Sequence, residues 1–160
     1  MQRAIEFWTS SLLIATTAMM GRSQQRNIPP PDRDSFVGQW RANPSKSRPT
    51  LSKAEASYQR TIRRDGDDLV FDSSGGSSKA RSQQYRLRCD GAFHPLPTGP
   101  VLSCRYIAPN KVEGETHDPT QERHYWTREV SADGQEMTIS AYKDKGRTKL
   151  KSVMVLDRIK

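Results

Sequence analysis

The stretch 57–73, SYQRTIRRDGDDLVFDS, decides the fold. A short run of alternating polar and apolar residues lies on each side of Asp65-Gly66. Alternation with a period of two is typical of a strand that has one face in water. Asp-Gly supplies the positive φ values of a type I′ turn, so the dipeptide is a strong hairpin signal. The stretch therefore predicts two antiparallel strands joined by a tight turn.

The same arrangement recurs along most of the chain, and no window after residue 36 has sustained helical periodicity. Strand-like runs lie at 57–64, 68–73, 83–89, 101–108, 111–116, 122–131, 135–142 and 147–159. The turn dipeptides are Asp65-Gly66, Gly75-Gly76, Asp90-Gly91, Pro109-Asn110, Asp133-Gly134 and Lys145-Gly146. Strands at this spacing, joined by hairpins, are typical of an up-and-down meander. The sequence predicts an all-β antiparallel barrel over 36–160, with about eight strands, enough to close around a filled core or one small ligand.

Length and composition exclude several classes of protein. The 160 residues fit one domain and leave no room for a separate cofactor domain. Three histidines and two cysteines are too few for a zinc ribbon or a disulfide-dense mini-protein. The sequence contains no G-x-S-x-G, P-loop or H-E-x-x-H motif. We therefore predict no catalytic residue, no cofactor, no metal site and no enzyme activity.

The first 35 residues have the pattern of a leader and a linker. The apolar run 7–20 follows a basic start and has the length of a signal-peptide core, whereas a membrane-spanning helix needs ~20 apolar residues. We predict a signal peptide at 1–23 and export to the periplasm or the medium; the alternatives are an uncleaved amphipathic helix and a misassigned start site. The Pro-rich stretch 24–35 favours polyproline II and predicts an extended linker, with an SH3-type ligand as the alternative.

The predicted domain opens with 36–40, FVGQW. A glycine before an aromatic residue lets the backbone bend while the indole of Trp40 fills the barrel end, so we assign structural roles to Gly38 and Trp40. F-x-G-x-W is similar to the first-strand signature of lipocalins, and G-x-W-x-x-N-P-x-K-S at 38–47 resembles a group of small exported bacterial lipocalin-like proteins. The S-A-D-G turn at 131–134 and the final strand match that group in position. The resemblance implies a lipocalin-like barrel.

The two cysteines fit a structural disulfide. If Cys89 lies opposite Cys104 in adjacent antiparallel strands, Leu87 faces Tyr106 on the same apolar face, and the arginines of opposite parity face water. Directly opposed residues approach closely enough for a disulfide. A reactive thiol is the alternative, but neither cysteine lies in a C-x-x-C motif. A disulfide also favours an oxidising compartment.

Two arginines share the inward face of predicted strands. Arg60 alternates with Tyr58 and Ile62, and Arg128 shares the parity of Trp126. A guanidinium inside a barrel is costly unless it is paired, and it binds a carboxylate through two hydrogen bonds. We hypothesise that these arginines receive an anionic head group.

The same two arginines also fit purely structural roles. As alternatives to ligand binding, they lie at the open mouth, extend to water, or pair with Asp72 or Glu129. The resemblance to lipocalins also implies that an arginine stacks on Trp40, and Arg60 and Arg128 are the candidates.

These patterns predict a barrel that binds a small apolar or amphiphilic molecule or serves as an envelope binding module. The candidate ligand-binding residues are Tyr58, Arg60, Phe71, Tyr85, Tyr106, Trp126 and Arg128. The alternative function is a structural or interaction barrel whose core is filled by such side chains, with no ligand. The two differ in whether the interior holds a cavity.

The net charge of +8 arises from 26 Lys and Arg against 18 Asp and Glu. The basic residues are spread along the chain and interleaved with acids. A sequence-tolerant binder of single strands needs exposed aromatic residues over a basic groove, a pattern the sequence lacks, so we predict no nucleic-acid partner. For an exported protein the charge favours contact with anionic envelope surfaces. The sequence leaves the oligomeric state open.

Overall fold

Short antiparallel strands make up most of the fold. The computed structural model describes residues 34–76, 83–97, 99–118 and 122–160. The strands are β1 Gly38–Ala42, β2 Gln59–Asp65, β3 Asp68–Ser74, β4 Gln83–Arg88, β5 Asp90–Pro95, β6 Val101–Ala108, β7 Lys111–His117, β8 His124–Val130, β9 Glu136–Tyr142 and β10 Leu150–Arg158. One short helix, α1 Lys53–Ala56, lies between β1 and β2. The predicted signal peptide, and the predicted linker up to residue 33, lie outside the described residues.

The strands form a single sheet that curls into a nearly closed barrel. Their order is β4-β3-β2-β1-β10-β9-β8-β7-β6-β5, and each neighbouring pair is antiparallel. The first and last strands pair in the middle of this order, so the sheet's two edges are β4 and β5. The predicted all-β antiparallel barrel is confirmed.

The predicted Asp-Gly turns follow the sequence pattern at two of three places. Gly66 (φ 59°) and Gly134 (φ 71°) have the positive φ that glycine adopts without steric cost. The third dipeptide, Asp90-Gly91, does not close a hairpin between the predicted strands 83–89 and 101–108. It begins β5 instead. With β5 and with β1, which the eight predicted runs did not include, the described residues form ten strands where about eight were expected. β5 has no buried residue on either face, which leaves no alternation to detect.

Cys89 and Cys104 form a disulfide, as the sequence predicted. The predicted register around it is wrong, because β6 pairs with β5 and β7 and not with β4. Cys89 follows the end of β4, and Cys104 lies on the inner face of β6, fully buried. The edge strands β4 and β5 are not paired with each other, and we call the gap between them the β4–β5 seam. The disulfide therefore links the two sides of this seam.

One end of the barrel is closed around Trp40. Its indole is fully buried, and its Nε1–H donates to the carbonyl of Phe36 at 2.9 Å. The guanidinium of Arg158 lies 4.2 Å from the indole centroid and donates to the carbonyls of Val37 and Ser35, each at 2.7 Å. Gly38 leaves space for it, since a Cβ there would lie 2.2 Å from Arg158 Nη1. The arginine stacked on Trp40 is thus Arg158; the prediction of Arg60 or Arg128 is wrong.

A second cluster seals the same end. Arg64 pairs with Asp34, and Arg64 Nη2 donates to the Tyr106 hydroxyl at 2.9 Å. The ring of Tyr106 packs edge-on against Phe36, with centroids 6.3 Å apart. Asp34 and Ser35, the last two residues of the predicted linker, are therefore tied to the barrel.

Helix α1 lies at the opposite end, which we call the mouth. Ser52 and Glu55 form a capping box, in which each side chain accepts from the backbone N–H of the other residue. The N–H of Gly76, two residues after the end of β3, donates to the carbonyl of Ala54 at 3.1 Å. This contact fixes the helix beside the strand that carries Phe71.

Candidate functional site

Two arginine side chains enter the barrel from opposite sides. Arg60 of β2 and Arg128 of β8 have the inward parity that the sequence indicated, and Arg128 is only 8% exposed. Both guanidinium groups approach the buried ring of Phe71 on β3, with their Cζ atoms 5.1 and 4.8 Å from its centroid. Two positive charges therefore lie beside one ring.

Aromatic side chains surround these charges. Tyr85 of β4 stacks on Phe71 with centroids 4.8 Å apart and planes 5° from parallel. The Arg60 guanidinium lies 5.1 Å from the ring of Tyr58, and that of Arg128 lies 4.6 Å from the ring of Trp126. Each cation is attracted to the negative face of its neighbouring ring. These six residues form what we call the arginine–aromatic cluster.

The indole of Trp126 reaches its position because residue 114 has no side chain. A Cβ at Gly114, on the adjacent strand β7, would lie 2.3 Å from Trp126 Cζ2. Trp126 Nε1 donates to Thr116 Oγ1 at 3.3 Å, which holds the ring over that glycine. Glycine at position 114 is thus part of how the sequence builds the cluster.

Few hydrogen bonds satisfy the two guanidinium groups. Arg128 Nη2 donates to the Tyr85 hydroxyl at 3.1 Å, and Arg60 Nε donates to Ser73 Oγ at 3.1 Å. The Tyr58 hydroxyl also binds Ser73 Oγ, at 3.2 Å. Three further nitrogens, Arg60 Nη1, Arg128 Nε and Arg128 Nη1, are buried and have no partner among the described residues. Buried polar groups in native proteins are almost always hydrogen-bonded, so three unpaired nitrogens in one cluster are unusual.

No described carboxylate forms an ion pair with either arginine. Asp72 faces outward and is exposed, and Glu129 pairs with Lys111 at 2.7 Å on the outer face. The alternative that these two acids neutralise Arg60 and Arg128 is therefore wrong. Arginine keeps its proton in proteins, so within the described residues the cluster carries two uncompensated positive charges.

The protonation equilibria of the cluster reflect this imbalance. Burial lowers the pKa of the Arg128 guanidinium, and the charge of Arg60 lowers it further. Burial by itself would raise the pKa of the Tyr85 phenol, but the positive charges of Arg128 and Arg60 outweigh it and lower that pKa below its usual range. Both directions indicate a site that favours a negative charge.

A cavity of about 330 Å³ opens from the cluster toward the mouth. Its lining consists of Glu55, Tyr58, Arg60, Gly75, Gly76, Arg128, Ile139 and Met154. Ile139 and Met154 supply an apolar wall from the paired strands β9 and β10. The cavity thus has a cationic side and an apolar side, and its volume falls within the ~300–1,000 Å³ of small-molecule sites.

Six of the seven predicted ligand-binding residues lie in the cluster: Tyr58, Arg60, Phe71, Tyr85, Trp126 and Arg128. The seventh, Tyr106, lies at the closed end with Arg64 and Asp34. Arg64 is four residues from Arg60 along β2, or about 13 Å at ~3.3 Å per residue. Tyr106 therefore does not contribute to this cavity.

Several residues of the site were not among the predicted ligand-binding residues, and Ser73, Ile139 and Glu55 are three of them. Ser73 and Ile139 share the inward parity of their strands, so alternation alone would have placed them inside. Glu55 lies outside the strands, so alternation could not have placed it, but a helix-capping pattern in the sequence marks its position. The S-x-x-E spacing of Ser52 and Glu55 is typical of a capping box at a helix start.

Two other features are lacking in the described part of the chain, a metal-holding cluster and a membrane-spanning helix. Those residues contain no group of three or more His, Cys, Asp or Glu side chains placed to hold a metal ion. Among them, too, no helix has the length and apolar character needed to cross a bilayer.

Comparisons with known proteins identify the fold. No family model and no curated protein matches the sequence. A solved structure described as REP1-NXSQ fatty acid transporter has a TM-score of 0.56 and 13% identity, covering 80% of this chain and 98% of that one. A Schistosoma mansoni fatty acid binding protein in complex with arachidonic acid has a TM-score of 0.54 and 14% identity, covering 79% of this chain and 97% of that one. At these identities the likeness concerns the fold, which is the all-β barrel of such fatty-acid-binding and transport proteins.

Proposed function

We propose that this protein is an exported barrel that binds a small amphiphilic molecule through an anionic head group. The observation that carries the proposal is the pair Arg60 and Arg128, which have three buried nitrogens without a hydrogen-bond partner and no ion pair with a described carboxylate. The head group would contact these nitrogens, and the apolar part would lie against Ile139 and Met154.

A bound anion at the two arginines is energetically favoured over an empty site. An unpaired charge buried in a protein is strongly destabilising, because neither water nor an opposite charge compensates it. Hydrogen bonds from guanidinium to an oxyanion are about twice as strong as neutral ones, and arginine makes two at once. A ligand that binds both arginines would therefore remove a cost that the folded chain otherwise carries.

The comparisons support the same proposal at the level of the fold. The two structural neighbours are described as a fatty acid transporter and as a fatty acid binding protein, and neither description names a reaction. We accordingly propose binding rather than catalysis. Kinship with small exported bacterial lipocalin-like proteins, inferred from 38–47, stays a proposal.

Export rests on two observations. The disulfide between Cys89 and Cys104 is of the kind that persists in oxidising compartments. The apolar run 7–20 has the pattern of a signal peptide. Affinity for anionic envelope surfaces, suggested by the net charge of +8, is a further proposal of the same kind.

Calorimetric titration with octanoate and with octanol tests the head-group contact. Octanoate should bind and octanol should bind far more weakly, because only octanoate carries a charge. Arg128→Gln should weaken octanoate binding by about 1.5–3 kcal/mol, the range for hydrogen bonds to charged groups, or roughly ten- to a hundredfold. Arg86→Gln is the matched control, since it removes the same charge from the outer face of β4, where Arg86 pairs with Asp65.

Two outcomes would contradict the proposal. If octanoate binds equally to Arg128→Gln and Arg86→Gln, the cluster is not the site. If no anionic amphiphile binds at all, the barrel is the structural type without a ligand.

A further inference from the structure

The charge inside the barrel exceeds what one carboxylate can neutralise. Arg60 and Arg128 line the same cavity and approach the same aromatic ring, that of Phe71. Glu55 is the one acidic residue in that lining, and its carboxylate accepts from the N–H of Ser52 at 2.8 Å on exposed helix α1. A singly charged head group would leave one of the two buried cations without a counter-charge.

The number of free donors leads to the same conclusion. Arg60 Nη1, Arg128 Nε and Arg128 Nη1 are buried without partners among the described residues and come from two separate guanidinium groups. A carboxylate offers two oxygens in one plane, which suit a single guanidinium fork. A phosphate monoester offers three terminal oxygens in a tetrahedral arrangement and a charge of about −1.5 to −2 at neutral pH.

We propose that the ligand's head group is a dianion, a phosphate monoester carried on an apolar chain, held jointly by Arg60 and Arg128. This inference deepens the proposed function and depends on it. The Tyr85 hydroxyl accepts from Arg128 Nη2 within the same cluster, and its O–H would be a further donor for a head group bound between the arginines. The chain would lie along Ile139 and Met154 toward the mouth.

Three alkyl probes of equal chain length separate charge from shape. Octyl phosphate becomes a dianion above its second pKa of about 6. Octyl sulfate has the same tetrahedral oxygens and stays a monoanion, and octanoate is a planar monoanion. Inorganic phosphate distinguishes a free anion from an amphiphile, because it lacks the chain.

We expect octyl phosphate to bind the wild-type protein at least about tenfold more tightly than octyl sulfate above neutral pH, which corresponds to ~1.4 kcal/mol. The preference should decline as the pH falls below the second pKa of the phosphate, while octyl sulfate binding stays level over that interval. Inorganic phosphate should bind more weakly than octyl phosphate. Arg60→Gln should abolish the preference for the dianion and retain binding of octyl sulfate, and Arg86→Gln should change neither.

Two results would overturn the inference in distinguishable ways. Equal affinities for octyl phosphate and octyl sulfate at every pH, each dependent on Arg128, would exclude the dianion and leave the proposed anionic amphiphile intact. Absence of Arg128-dependent binding for all three alkyl probes would exclude the proposed function and the inference together. The pH series uses only the wild-type protein, so the preference for the dianion is tested whether or not the variants fold.

Discussion

Trp40 connects residues that are far apart in the sequence, and its removal should be among the most costly changes in the barrel. The indole is fully buried between the Phe36 carbonyl and the Arg158 guanidinium. Trp40→Ala should lower the free energy of unfolding by ~3–5 kcal/mol, as truncation of a buried aromatic side chain usually does. Urea unfolding followed by circular dichroism measures the difference.

Trp40→Phe is the control for this truncation. It keeps a ring beneath Arg158 and loses only the Nε1–H bond, so it should be destabilising by a smaller amount than Trp40→Ala. A Trp40→Ala protein that unfolds within about 1 kcal/mol of wild type would contradict the role of Trp40 in closing the barrel.

Tyr85 gives the cluster a pH dependence in the alkaline range. Burial opposes ionisation of Tyr85, but Arg128 and Arg60 lower the pKa of its phenol below the usual ~10. A lowered folded-state pKa means that ionised Tyr85 stabilises the fold fully above the unfolded pKa, and that this contribution is lost as pH falls through the folded pKa. Relative to Tyr85→Phe, wild type should therefore gain stability as pH rises toward 10.

Whereas stability should rise as the pH approaches 10, the affinity for an anionic ligand should fall over the same pH range. Ionised Tyr85 would itself neutralise part of the arginine charge and so compete with a bound anion. The affinity for octyl sulfate, whose charge is constant, should fall as pH rises through the pKa of Tyr85. In Tyr85→Phe this fall should disappear, and a fall of equal size in that variant would place the responsible group elsewhere.

For individual residues, the sequence predicted which arginines of the cluster point inward, but it did not predict the contacts that other arginines make across the barrel. Alternation along a strand fixes the face on which a side chain lies, so the inward positions of Arg60 and Arg128 followed from their neighbours alone. The stacking of Arg158 on Trp40 depends on β1 pairing with β10, which no local pattern encodes. The same holds for the contact of Asp34 with Arg64.

The β4–β5 seam is the part of the sheet that depends most on a covalent link. No ladder joins β4 to β5, and the Cys89–Cys104 disulfide spans 15 positions of the chain at that seam. Replacing both cysteines by serine should lower the free energy of unfolding by about 3 kcal/mol on the chain-entropy model for a loop of this length. Chemical unfolding with and without reductant measures it.

The reduced wild-type protein is the natural control for the double serine variant. The two should unfold at similar denaturant concentrations, since both lack the same link. Peptide mapping of the native protein without reductant should also recover the linked pair. Two freely alkylatable thiols would contradict the disulfide.

The sequence predicted strands that have one buried face, because their polar and apolar residues alternate. It did not predict β5, which is exposed on both faces. β2 and β3 alternate around Asp65-Gly66, and both formed within a residue or two of the predicted ranges. β5 is exposed on both faces and ends in Pro95, so neither its pattern nor its propensity marks it as a strand. The wrong register for Cys89 and Cys104 follows from that omission, because the missing strand is the true neighbour of β6.

For the molecule as a whole, the boundary of the folded domain can be tested by truncation. A chain that begins at residue 32 should unfold within ~4 °C, or about 1 kcal/mol, of one that begins at residue 24, since the Pro-rich stretch offers few core side chains. A chain that begins at Phe36 loses the Asp34–Arg64 contact and should be less stable by about 1.5–3 kcal/mol. Scanning calorimetry compares the three, and equal midpoints for all would exclude a role for Asp34.

The pairing of β1 with β10 separates the ends of the chain from the edges of the sheet. Ile159 N–H donates to the Gln39 carbonyl at 2.8 Å, so the first and last strands lie side by side. A circular permutant that joins the residues after Arg158 to Asp34 through a short linker, and begins at Asp90, would interrupt none of the ladders. Its new termini would be Asp90 and Cys89, and the second of these would still be fastened to β6 through Cys104. In such a protein a reductant alone would free the terminal Cys89 from β6, while the ladder between β3 and β4 would keep the rest of β4 in place. The disulfide would then control only whether this edge of the sheet is covalently closed.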